Sequence, residues 1–240
     1  MHTVKRTILV TGASSGIGRA IARQLLQLGH HVLGVSRDVS KFTKSLSNFS
    51  PIQLDLSALD QLPKQLKQLQ SDFPNIDAVV FSAGIGQFGG LEEFSYPQIE
   101  QLLTINFTSS AFITRALLPA LKRKAHSDLI FIGSEAALKG SRKGALYCAS
   151  KFAVRGFTQA LREECAKSNV RVCLINPGMV KTPFFDDLGF EPGDDESQFI
   201  LPEDVAEAVC YVLSSRPKIV IDEINLSPLN RVVKFKKKLI

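Results

Sequence analysis

The sequence predicts an α/β fold: a doubly wound, seven-stranded parallel sheet with helices on both faces. Three observations predict it. Strand-like and helix-like patterns alternate from end to end, which leaves the strands parallel and covers them with crossover helices. A glycine-rich turn, Gly12-Ala13-Ser14-Ser15-Gly16-Ile17-Gly18, stands between a short apolar run and an amphipathic helical pattern. The length of 240 residues, with 45% apolar and 22% charged, suits one domain over 1–240 with a full core.

Taken in order, Ile8-Leu9-Val10 predicts a strand over 7–10 buried on both faces. Ile17, Ala20, Ile21, Leu25 and Leu28 recur at helical spacing and predict a helix over 15–28, with Gly29 as its stop. Further strands are expected over 31–36, 52–54, 78–82, 129–132, 171–175 and 219–221, and further helices over 59–73, 96–123, 144–167 and 202–214. Pro202 suits a first helical turn, and Glu203 and Asp204 suit the positive end of the helix dipole. Residues 183–201 show no clear periodicity. They hold Phe184, Phe185, Leu188, Phe190 and Phe199 beside Gly189, Gly193 and the acidic Asp186, Asp187, Glu191, Asp194 and Asp195. So many large apolar side chains do not suit a solvated connection. They predict a mobile lid whose apolar side, including Phe184 and Phe185, closes on a substrate; the alternative is a short core-packing helix with an ordinary loop.

The net charge of +6 owes much to Lys234, Lys236, Lys237 and Lys238 and to Lys122, Arg123 and Lys124. No nucleic-acid motif accompanies these charges, so a solvated end is expected, with a membrane-surface anchor as the alternative. Cys148, Cys165, Cys173 and Cys210 form no C-x-x-C pair, and His2, His30, His31 and His126 have no ligand-type partner at helical spacing; no metal site is expected. No apolar run reaches the ~18 residues of a membrane helix. The run after Lys5-Arg6 is too short for a signal peptide, which makes the cytoplasm the expected compartment.

Chemistry concentrates at the expected carboxyl ends of the strands. The strand–glycine–helix order around Gly12, Gly16 and Gly18 fits a dinucleotide pyrophosphate, with the backbone close and the helix N–H groups free. The second strand ends in Ser36-Arg37-Asp38. An arginine there accommodates a 2′-phosphate, so Arg37 favours NADP(H) over NAD(H); an inward Asp38 would take the ribose 2′-hydroxyl instead. Asp55 follows the third strand, either as an adenine acceptor or as a helix N-cap. Ser134 follows the fifth strand, and Tyr147 and Lys151 are four apart on one helix face. A lysine ammonium beside a tyrosine favours its phenolate, and a serine hydroxyl can hold a carbonyl oxygen near it. Asn176-Pro177-Gly178 turns the chain directly after the sixth strand.

These motifs together resemble the short-chain dehydrogenase/reductase family, in its single-domain branch with Tyr-x-x-x-Lys. The resemblance spans nearly the whole chain and implies a Rossmann-type fold and an NADP(H)-dependent alcohol dehydrogenase or carbonyl reductase. It implies Tyr147 as general acid–base, Lys151 as the group that lowers its pKa and binds ribose, Ser134 as the holder of the substrate oxygen, and Asn106 as support for a proton relay. It further implies cofactor contacts from Gly12, Ser14, Ser15, Gly16, Ile17, Gly18, Asp55, Leu56, Ser82, Ala83, Gly84, Asn106, Tyr147, Lys151, Pro177, Gly178, Val180 and Thr182. The family usually has Asn-Asn-Ala-Gly where this chain has Phe81-Ser82-Ala83-Gly84. A homodimer or homotetramer through the helices around 96–123 and 144–167 is also implied. The rival expectation is a catalytically silent dinucleotide sensor acting through partners; the intact Ser134, Tyr147 and Lys151 count against it.

Overall fold

The computed structural model describes residues 5–42 and 47–236. Its strands are β1 (Thr7–Thr11), β2 (His31–Ser36), β3 (Phe49–Gln53), β4 (Ile76–Phe81), β5 (Ser127–Ile132), β6 (Val170–Pro177), β7 (Phe190–Pro192), β8 (Glu223–Leu226) and β9 (Val233–Phe235). Its helices are α1 (Gly16–Gln27), α2 (Leu62–Asp72), α3 (Tyr96–Leu103), α4 (Ser109–Leu121), α5 (Ala145–Glu164) and α6 (Pro202–Ser214). Seven strands form one parallel sheet in the order β3-β2-β1-β4-β5-β6-β8, and β7 and β9 pair separately and antiparallel. The order reverses between β1 and β4, where a crevice opens at the carboxyl ends of the strands.

Alternate side chains of the central strands feed two separate cores. Ile8, Val10 and Ile130 pack with Ile21 and Leu25 of α1 and Val205 and Val209 of α6. Leu9, Val79, Leu129 and Phe131 face the other way, against Leu62 and Leu66 of α2, Leu117 of α4 and Val154 and Leu161 of α5. Near-continuous apolar strands are therefore required, and the sequence supplies them.

Besides the added pair β7 and β9, the last sheet strand and the helix over 96–123 depart from expectation. The last sheet strand lies at Glu223–Leu226 rather than 219–221. The neighbouring strand decides this: Asn176 of β6 donates from Nδ2 to Glu223 Oε1 and Asn225 Oδ1, and Leu174 N–H donates to Asp222 C=O. An edge strand held this way needs no apolar run. The helical stretch 96–123 is three pieces, α3, a π-turn at Thr104–Thr108, and α4. The π-turn carries Asn106, at the kind of irregularity that often marks a functional position.

At the opposite, amino-terminal edge of the sheet, Asp128 is fully buried between two arginines. It accepts from Arg6 Nη1 and from Arg171 Nε at 2.7 Å, and His126 Nε2 lies 3.1 Å away. Arg171 also donates to the carbonyls of Val212 and Ser215, fastening the end of α6. Burial works to raise the Asp128 pKa, but hydrogen bonds from His126 and Arg171 and the charges of Arg6 and Arg171 outweigh it and hold the carboxyl below its usual range. Its stabilisation is then complete above the ordinary carboxylate pKa and is lost as pH falls through the lowered folded value. Asp128→Asn strands two buried cations and should lower stability at neutral pH by about 3–5 kcal/mol. Denaturant titration at several pH values checks this; the difference from wild type should shrink as the medium is acidified.

Candidate active site

The site is built where β1, β4, β5 and β6 end. The turn from β1 to α1 passes through Gly12 at φ +69° and Gly16 at φ +49°. Those left-handed angles suit glycine, and a Cβ on Gly12 would also press on the Ala83 backbone at 2.9 Å. A Cβ on Gly18 would collide with the Gly12 carbonyl, so helix and strand approach more closely than any side chain permits. Ser15 stands at the start of α1, and its side chain makes no cap hydrogen bond. Thr11 Oγ1 accepts from Ser82 N and Ala83 N, both at 3.0 Å, which clamps the ends of β1 and β4 together. The Ser82 hydroxyl is buried without a partner among the described residues.

At the tip of β2, Arg37 is exposed. Asp38 does not turn inward: its Oδ1 accepts from Ser40 N at 3.0 Å and Ser40 Oγ at 2.6 Å. Asp55 likewise accepts from Ser57 N at 2.9 Å and Ser57 Oγ at 2.6 Å, closing the turn ahead of α2 rather than capping the helix itself. Both carboxyls sit below their usual range because those hydrogen bonds favour the charged form.

Tyr147 and Lys151 lie on one buried face of α5. Burial pushes the Tyr147 pKa up to about 12, with the neighbouring Ser134 hydroxyl acting the other way. Burial also pulls Lys151 down to about 8. The Lys151 ammonium is 5.8 Å from the Tyr147 ring centroid and donates to the Ile132 carbonyl at 3.2 Å. The depressed tyrosine pKa expected from a neighbouring ammonium is therefore not seen; burial dominates both groups. Ser134 Oγ accepts from Ala136 N at 3.1 Å and holds the turn that leaves β5.

Asn106 stands behind these groups. Its Oδ1 accepts from Ile85 N at 2.8 Å, and its Nδ2 donates to Ile85 C=O and Ser150 Oγ, both at 3.0 Å. One amide thus ties the segment after β4 to α5. Beyond β6, Gly178 N donates to Leu226 C=O at 2.8 Å, Val180 bridges to Ile200, and Thr182 Oγ1 accepts from Phe184 N at 3.4 Å.

A cavity of about 1280 Å³ joins these parts. Every residue expected at the site lines it except Ser14, Arg37, Asp55, Leu56 and Asn106. Arg37 and Asp55 stand exposed at the ends of the outer strands, and Leu56 and Asn106 are buried behind the lining. Residues 183–201 form neither a single helix nor a plain loop: the turn Pro183–Phe185, then β7, then the turn Glu196–Gln198. Phe184 stands 5.9 Å from Tyr147 by ring centroids, and Phe185 5.8 Å from Phe190. Phe199 instead packs under Lys181 and does not line the cavity.

Sequence patterns missed other lining residues. Phe88 packs 4.9 Å from both Tyr147 and Phe190. The glycines on either side of it, Gly86 and Gly89, were the available signal. Arg231, Val232, Val233, Phe235 and Lys236 also line the cavity, although the stretch reads as a polar tail. The tail residues Lys237 and Lys238 lie outside the described residues. Among the described residues no helix is long and apolar enough to cross a membrane.

Comparison with known proteins supplies an independent view. A family model described as short chain dehydrogenase matches residues 6–191. A sepiapterin reductase of Chlorobaculum tepidum is 30% identical over 94% of this chain and 97% of its own length. An NADP-dependent 3-hydroxy acid dehydrogenase of Schizosaccharomyces pombe is 30% identical over 93% of this chain and 92% of its own. Among solved structures, an alcohol dehydrogenase from the archaeon Thermococcus sibiricus complexed with 5-hydroxy-NADP superposes with a TM-score of 0.85, at 26% identity, covering 95% of this chain and 99% of that one.

The engagement of Asn106 gives a test independent of any ligand. Asn106→Ala leaves the Ile85 N–H and C=O without their partner and should cost about 1–3 kcal/mol of stability. Equilibrium unfolding measures it, with the loss in protection expected at residues 83–88.

Proposed function

The chain belongs to the short-chain dehydrogenase family, and on that premise we propose that it transfers a hydride between NADP(H) and a ketone or secondary alcohol with an apolar or aromatic body. The observation that carries this is one cavity with a glycine cradle at one end and Ser134, Tyr147 and Lys151 beside an aromatic wall at the other. A nicotinamide dinucleotide fits the residues present. The close approach at Gly12 and Gly18 leaves room for a pyrophosphate, Ser15 makes no side-chain cap on α1, and among the described residues the buried Ser82 hydroxyl lacks a partner. When bound, the cofactor supplies or accepts the hydride.

On this reading the turn 12–18 holds the pyrophosphate, with Ser14, Ser15 and Ile17 contributing. Asp55, Leu56, Ser82, Ala83 and Gly84 hold the adenosine, and Pro177, Gly178, Val180 and Thr182 hold the nicotinamide end. Ser134 Oγ hydrogen-bonds the substrate oxygen. Tyr147, with its pKa near 12, keeps its proton through the neutral range and is the donor when that oxygen gains negative charge. Lys151, with a pKa near 8, carries a proton over most of the same range; it binds ribose and stabilises the phenolate that forms. Asn106 keeps Ile85 and α5 in register, so that Gly84 and Lys151 stay close. Residues 183–201 act as the substrate lid, with Phe184 and Phe185 excluding water from the hydride path.

The preference for NADP(H) is supported by Asp38, whose carboxylate is engaged by Ser40 instead of turning inward, while Arg37 stands exposed at the tip of β2. The NADP-dependent relative and the solved complex with an NADP derivative point the same way.

Tyr147→Phe should retain NADPH binding while turnover falls by about 10²–10⁴. Steady-state kinetics on a ketone panel, paired with fluorescence titration of NADPH, reads both; wild-type turnover in the variant would refute the mechanism. Arg37→Asp should weaken NADPH binding by about 1.5–3 kcal/mol and relatively favour NADH. Equal affinity of the unmodified protein for both cofactors would overturn the preference.

A further inference from the structure

The segment 230–236 has its hydrogen bonds in an unusual place. β9 pairs with β7 in the register Phe190↔Phe235, Glu191↔Lys234 and Pro192↔Val233. Lys236 N donates to Gly189 C=O at 2.9 Å, and Asn230 reaches Ser197 through both its backbone and its side chain, each at 2.8 Å. The Lys234 ammonium pairs with Glu191 at 3.3 Å and Asp194 at 2.8 Å. The Lys236 ammonium donates to the carbonyls of Phe185 and, at 2.9 Å, Asp186. Apart from the contact of Arg231 with Ser227, every hydrogen bond of 230–236 among the described residues goes to residues 185–198.

Hydrophobic burial does not hold this strand. Val233 is 51% exposed and Phe235 77% exposed. A strand with so little buried apolar surface adds little to global stability. It is fastened to the segment over the cavity rather than to the main sheet, and it contributes Val232, Val233 and Phe235 to the cavity lining. The clasp at Lys236 acts on the turn Pro183–Phe185, whose Phe184 stands against Tyr147 and whose Phe185 packs on Phe190.

From this we infer that residues 230–236 are the second strand of the substrate lid, and that Lys236 is a positioning residue fixing how closely Phe184 and Phe185 approach Tyr147, and so which carbonyl substrates meet a complete apolar wall. The inference rests on the hydride-transfer reading above and deepens it. The two strands move as one unit, because the ladder and the lysine contacts join them to each other. A bulky aromatic ketone touches the wall that the clasp holds in place; a ketone as small as acetone does not reach it.

The test compares 2-acetylnaphthalene with acetone as substrates for full-length wild type, Lys236→Met and Lys236→Arg, with NADPH. Lys236→Met should lower the ratio of kcat/KM for 2-acetylnaphthalene to that for acetone about tenfold, mainly through KM for the larger ketone. Lys236→Arg keeps a donor to the carbonyls and should restore most of the ratio. An unchanged or raised ratio in Lys236→Met overturns the inference. Reduction of neither ketone by wild type would instead count against the hydride-transfer reading. The clasp is then judged by hydrogen exchange: Lys236→Met should speed exchange in 190–192 and 233–235 together. Faster exchange in one strand alone, or in neither, overturns the coupled lid.

Discussion

The Gly12 carbonyl lies where a Cβ on Gly18 would have to go, and much of the site depends on that contact. It brings the first turn of α1 onto the end of β1, so Ser15, Gly16, Ile17 and Gly18 line the cavity. β1 is the strand beside which the sheet order reverses, so this end also faces the end of β4. Thr11 then clamps the two strand ends by accepting from Ser82 and Ala83. The contact ties sheet topology directly to the shape of the cavity.

The two edges of the sheet treat buried charge differently. At the amino-terminal edge Asp128 is surrounded by Arg6, Arg171 and His126, and the carboxyl stays ionised despite its burial. At the carboxyl-terminal edge burial outweighs its partners. Tyr147 rises to about 12 and Lys151 falls to about 8. Uncompensated desolvation destabilises a compact chain, and such perturbed groups cluster where proton transfer occurs. Buried charge is neutralised by partners at one edge, while at the other burial governs the two titratable groups.

The cavity is closed by parts drawn from distant stretches of sequence. Phe88 follows β4, Phe184 and Phe190 follow β6, and Phe235 belongs to the last described strand. The family model matches residues 6–191, a span that holds Phe88, Phe184 and Phe190 but not Phe235. A cavity wall assembled from separate stretches of chain lets one fold present different walls.

Local pattern by itself determined the sheet, its helices and the chemical groups at its edge. Buried parallel strands demand apolar runs, and a turn at φ +69° demands glycine at position 12, so both leave marks in the sequence. Tyr147 and Lys151 were legible because one helix carries both. Tertiary structure alone decided the rest. The seventh sheet strand followed the partners that Asn176 offered rather than its own apolar neighbours at 219–221. Asp38 turned to Ser40 because a hydrogen bond two residues away was available, which composition does not reveal. The pairing of β7 with β9 joins residues some forty positions apart through backbone hydrogen bonds and lysine–carbonyl contacts. Every residue except proline carries the same backbone donor and acceptor, so pairing of this kind between short, exposed strands leaves little mark in side-chain pattern.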